Sequence, residues 1–231
     1  PLQAGLWSAP GAVAFIFGSN LAPRVVRRVR PSLVVSGGLT LAAIGMSLLT
    51  LVDFDSLALI VIGNILMSVG FGFSFTLTVD LVIAAAPAER AGAASAIAET
   101  GAELGGALGL AVLGSLGIAV YRTQVAAAMP AGIAPDMAEA VRETLAGAVV
   151  VAEQLPDALG EPLLRAAQQA FVQGLQLNAV IGVIGFIGLA ILTMTMLRHL
   201  RPHVEAEEGV EPAPAGAIAV PHIRPEVQAG D

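Results

Sequence analysis

Two carboxylates, Glu99 and Glu103, stand inside an otherwise apolar run from Ala91 to Tyr121. They are four residues apart, so a helix carries both on one face. Glu99 lies about 12 Å along the helix axis from Ala91, and Glu103 about 6 Å deeper. No Lys or Arg is near either in sequence. An acid at membrane depth is costly and marks function by default. Two carboxylates crowded into a low-dielectric site resist full ionisation. Such a pair can take and release protons near neutral pH, or attract a lipophilic cation. The plainer alternative is a hydrogen bond to a neighbouring helix or a place on a wet crevice.

The same run carries Gly101, Gly105 and Gly109 at four-residue spacing. This small-residue ridge permits close helix packing. Each glycine is two residues, about 200°, from a glutamate, so the ridge and the acidic face point roughly opposite ways. Asp80, near the end of the preceding run, is suited to a gating or structural ion pair with Arg90 or Arg24. Trp7 has the place of an interfacial anchor. His199, His203 and His222 have no metal-site spacing. There is no nucleophile–base pair, phosphate loop or dinucleotide fingerprint. The expectation is a protein that is not an enzyme and needs no metal or other cofactor.

The elements that must position these residues are helices. Of 231 residues, 56% are hydrophobic and 13% charged, against about 25% charged in soluble domains. The apolar runs reach the roughly 20 residues a membrane helix needs, and they do not alternate as barrel strands would. The fold class is therefore all-α, an integral membrane helical bundle. The runs cover about residues 2–22, 33–52, 57–86, 91–121 and 175–197, five in all, with a disordered tail over 202–231. The chain has no cysteine, and its net charge of -7 comes largely from a long loop and the tail. That distribution does not point to nucleic acid. The chain opens on Pro1 and enters an apolar run at once, without a basic leader. The expectation is that further N-terminal sequence precedes it.

Loop charge sets orientation, because arginines collect on the cytoplasmic side. Arg24, Arg27, Arg28 and Arg30, then Arg90, then Arg198 and Arg201, alternate so as to share one side. Asp53, Asp55 and the segment 122–173 take the other. In that segment six acids (Asp136, Glu139, Glu143, Glu153, Asp157 and Glu161) outnumber Arg122, Arg142 and Arg165. The C-terminus is expected in the cytoplasm and segment 122–173 outside. Asp136 and Glu139 have capping-box spacing. Val141, Leu145, Val149 and Ala152 form a stripe, and Pro162 suits the first turn of a second helix. An external helical hairpin is the simplest reading.

The stretch PAERAGAASAIAETGAELGGALG, from Pro87 to Gly109, resembles the penultimate helix region of fourteen-helix drug:proton antiporters of the major facilitator superfamily. The opening Pro1-Leu-Gln-Ala-Gly-Leu resembles the start of their tenth helix. The resemblance implies that these are the tenth to fourteenth helices, in the inner (plasma) membrane. It implies export of small lipophilic or cationic compounds by alternating access, driven by the proton gradient, with Glu99 and Glu103 as coupling residues. The partners it implies are membrane lipid and the N-terminal half of the same transporter. This chain has Ala98 beside Glu99, where some members have adjacent acids, and Phe15 where some carry an acid in the tenth helix. Two other readings remain: export of one endogenous metabolite or antibiotic, and a non-transporting scaffold or truncated remnant.

Overall fold

The structure, a computed structural model, describes residues 2–53, 56–130 and 132–198, with side chains from Gly5 onward. Among the described residues every regular element is helical. The helices are α1 (Leu2–Val26), α2 (Pro31–Leu49), α3 (Leu57–Ala84), α4 (Ala91–Ala127), α5 (Pro135–Glu143), α6 (Leu145–Gln154) and α7 (Asp157–Met196). A single 3-10 turn, Ala88–Arg90, leads into α4. Asp55, Arg201, His199, His203, His222 and the tail lie outside the described residues.

Four helices, α2, α3, α4 and α7, are long and apolar enough to cross a membrane. α1 has the length, 25 residues, but Ser8, Pro10, Ser19 and Asn20 dilute its apolar character. Pro23 does not end α1, as its sequence position suggested. The helix continues to Val26, and two side chains bond back to carbonyls on this stretch. Asn20 Nδ2 donates to the Ile16 carbonyl and Arg24 Nη1 to the Asn20 carbonyl, each at 2.8 Å.

α1, α2 and α3 form a tightly packed unit. α3 packs along both α1 and α2, and α7 packs on α2. The contacts are made by backbone approaching backbone. A Cβ on Gly18 would lie 2.5 Å from the Val69 carbonyl oxygen, and one on Gly45 would lie 2.5 Å from the Met67 amide nitrogen. Small residues at such crossings let helices gain van der Waals contact where lipid removes the hydrophobic drive. Ser74 Oγ reaches the Val35 carbonyl at 3.0 Å across the α2–α3 seam. Gln176 Nε2 donates to the Val52 carbonyl at 3.0 Å, tying α7 to the end of α2.

α4 and α7 are far longer than a bilayer requires. At 37 and 40 residues they extend about 55 and 60 Å, against a hydrocarbon core of about 30 Å. Their projecting ends carry the α5–α6 hairpin. This region has its own core, with Val125, Val141, Ala148, Leu163 and Ala167 fully buried. Tyr121 Oη donates to the buried Val141 carbonyl at 2.8 Å, fixing α5 to α4.

The hairpin differs from the sequence expectation in three ways. Asp136 is not a cap: Pro135 occupies the first helical position, so Asp136 falls in the first turn, where it complements the helix dipole. The stripe from Val141 to Ala152 is broken at Thr144, whose extended backbone ends α5 and whose Oγ1 accepts from Gly147 N at 2.9 Å to cap α6. Pro162 lies inside α7, which starts earlier, at Asp157. From there α7 runs unbroken through the apolar span.

Two substitutions test this packing. Gly45→Ala should overpack the α2–α3 seam and cost about 1–3 kcal/mol. Gly37→Ala, on the same helix with open space around it, should not destabilise. Apparent melting temperatures in detergent check this, and equal values for the two variants would refute the close-packing assignment. Tyr121→Phe should leave the Val141 carbonyl unsatisfied, at about 1–3 kcal/mol. Hydrogen exchange over residues 135–154 should rise in that variant, while α2 and α3 stay protected.

Candidate functional site

The acidic face of α4 is built from its first five turns. Pro87 precedes the 3-10 turn, Arg90 ends it, and the small residues of 91–110 continue as regular helix. Thr100 Oγ1 donates back to the Ala96 carbonyl at 2.8 Å, which leaves its oxygen free only to accept. Glu99 and Glu103 both project from the helix and are exposed. Neither has a hydrogen bond or ion pair among the described residues.

The reason lies in where α4 is held. Its last turns pack on α7 and the hairpin, and Tyr121 and Val125 are its buried residues. α4 and α7 come closest at Gly117 and Gly174, where a Cβ on Gly174 would sit 2.9 Å from the Gly117 carbonyl oxygen. Towards its N-terminus α4 stands away from the bundle. Nothing lies within 4 Å of the Cβ positions of Gly101, Gly105 or Gly109 among the described residues. Both the ridge and the acidic face are therefore uncovered here, along with large apolar side chains such as Ile97, Leu104 and Leu108.

The candidate ion-pair residues are not brought together. Asp80 is exposed at the C-terminal end of α3 and makes no ion pair among the described residues, and Arg90 is exposed in the 3-10 turn. Arg24 is spent on the Asn20 carbonyl. Trp7 is half exposed on α1. Among the described residues no three His, Asp or Glu side chains gather as a metal site.

Sequence reasoning passed over a second polar group at depth. Asn178 lies in the apolar part of α7, and its Oδ1 is buried without a hydrogen-bond partner. Its one signal in the sequence is an amide in a run of Leu, Val and Ile. Its neighbours Tyr121, Glu143 and Phe171 come from three helices, so only the folded chain could assemble them.

The sequence profile described as Major Facilitator Superfamily matches residues 1–110. The Multidrug efflux pump LfrA of Mycolicibacterium smegmatis is 34% identical over 200 residues, covering 86% of this chain and 39% of that protein. The Methyl viologen resistance protein SmvA of Salmonella typhimurium is 32% identical over 173 residues, covering 74% of this chain and 34% of its own length. The Tetracenomycin C resistance and export protein of Streptomyces glaucescens is 29% identical over 224 residues, covering 93% of this chain and 41% of its own. The chain thus spans well under half of each relative. These are transporters rather than enzymes, and an apolar helical bundle of this kind is embedded in the membrane as a multi-pass protein. Its helices, its profile match over residues 1–110 and its alignments agree in making this chain similar to a part of major facilitator superfamily efflux proteins.

Proposed function

We propose that the chain is the C-terminal part of a proton-coupled multidrug exporter of the inner membrane. Its substrates are lipophilic, chiefly cationic compounds, and the rest of the same transporter completes the substrate cavity. One observation carries this reading: a helix anchored at one end presents two unpaired carboxylates on an uncovered face. At the bilayer centre each ionised acid facing lipid costs about 2.5–3.5 kcal/mol. The face is stable only if further protein and water cover it, or if protons or cations neutralise it. Exchange between those two neutralising partners is antiport. The glycine ridge on the other side of α4 supplies a surface for close contact with a covering helix. Asp80 and Arg90, unpaired here, are available for ion pairs with the covering part at the arginine end.

In the complete transporter, Glu103→Gln should abolish ethidium efflux, and Glu99→Gln should reduce it less. Glutamine keeps the shape, so membrane levels should hold. Cation binding to the purified protein should tighten as pH rises and release protons into weak buffer. Both effects should disappear in the double variant. Wild-type efflux by both single variants would make the pair structural.

A second reading, export of one endogenous metabolite or antibiotic, is favoured by the alignment of 93% of this chain to the Tetracenomycin C resistance and export protein. Efflux of tetracenomycin C that survives both glutamine variants would support it.

The topology follows from the arginines at one end of the bundle, with the C-terminus cytoplasmic and the hairpin outside. Glu153→Cys, at an exposed position on α6, should react with an impermeant thiol reagent in intact spheroplasts. Labelling only after lysis would invert the topology.

A further inference from the structure

Between α4 and α7, beneath the hairpin, lies a cavity of about 330 Å³. The Gly117–Gly174 contact closes it on one side. A Cβ on Gly117 would already lie 3.0 Å from Asn178 Nδ2. The start of α6 reaches the cavity with Leu145. Ile118, Leu145, Phe171 and Leu175 make the walls. Asn178 is among the lining residues, and its Oδ1 is buried with no hydrogen-bond partner among the described residues.

The charge at this cavity is unbalanced. Glu143, the last residue of α5, lines it and is exposed. Two ion pairs form in the hairpin region, Arg142 with Glu139 at 3.8 Å and Arg165 with Glu161 at 2.6 Å; Asp136, Glu153, Asp157 and Arg122 form none among the described residues. Glu143 has no ion pair or hydrogen bond among the described residues, and its neighbour Arg142 is engaged elsewhere. An apolar, partly aromatic chamber with one free carboxylate suits an amphipathic cation. Ligand cavities of about 300–1,000 Å³ take small molecules, and this one is at the small end.

We propose that this cavity is a second binding site for lipophilic monocations, distinct from the Glu99–Glu103 face. The charged head sits at Glu143 and a flat apolar body lies against Phe171 and Leu175. Phe171 also offers a ring face to the cation. The site rests on the preceding reading for the class of compound, but it shares no residue with the acidic face of α4. Compounds leaving or entering at the hairpin end would pass it.

The test uses the complete transporter in nanodiscs of neutral lipid, in the Glu99→Gln, Glu103→Gln background, so that the first site is disabled. Ethidium fluorescence should report saturable residual binding. Adding Glu143→Gln should weaken that binding about tenfold, the equivalent of one modest charge interaction. Glu143→Asp should restore part of it. Glu153→Gln, the same charge change on the hairpin away from the cavity, should have no effect. The neutral probe N-phenylnaphthylamine should be insensitive to Glu143→Gln, while Leu175→Trp, which fills the chamber, should exclude both probes. No residual binding in the background protein, equal ethidium binding with and without Glu143→Gln, or equal losses from Glu143→Gln and Glu153→Gln would each overturn the proposal. So would a Leu175→Trp protein that still binds ethidium, as expected if the dye lay in lipid. The first site is judged separately, from efflux by Glu99→Gln and Glu103→Gln alone.

Discussion

The close approach of α3 to α1 and α2 is the constraint on which the rest of the structure depends. In lipid, one apolar helix gains little by leaving hydrocarbon for another apolar helix. Contact must come from van der Waals packing and a few hydrogen bonds. Glycines at the crossings bring backbones together where a Cβ would collide. The Ser74 bond to the Val35 carbonyl adds direction to one seam. α7 then packs on α2, and α4 packs mainly on α7 with a smaller contact to α3.

The second structural unit obeys different rules. α4 and α7 run past the thickness of a bilayer, and their ends meet the hairpin in a core of Val, Ala, Leu and Tyr. This core resembles that of a small water-soluble domain, with amphipathic short helices and surface ion pairs such as Arg165–Glu161. Such exposed pairs contribute little to stability. The apolar burial and the Tyr121 bond to Val141 hold the unit together. The junction of the two regimes is the Gly117–Gly174 crossing. The second cavity lies there, lined by residues of α4, α7 and the hairpin.

The uncovered half of α4 has a functional consequence. A helix held at one end by glycine contact and a soluble-type core can carry acids along its free half without disturbing the bundle. The cost of those acids is deferred to whatever surrounds them. On the proposed reading, pairing them with Arg inside the chain would remove the place a proton or a cation would take.

Much of the helical plan was legible in the residues themselves. Membrane-length apolar runs can satisfy their backbone only as helices, so α2, α3 and α4 were readable from composition and length, as was the placing of Glu99 and Glu103 one turn apart. The start of α7 at Asp157, the break at Thr144 and the passage of α1 through Pro23 were not. The break at Thr144 turns on one side chain finding a partner, Thr144 Oγ1 with Gly147 N. Only tertiary structure decided which glycines pack. Gly18, Gly45 and Gly70 are pressed against neighbouring backbone, whereas Gly101, Gly105 and Gly109, with the more conspicuous spacing, touch nothing among the described residues. Spacing along one helix defines a face, but a contact needs a second helix at the same height and angle. The same limit hid the cavity of Glu143, Phe171 and Asn178, since residues distant in sequence become one site only when three helices converge on them.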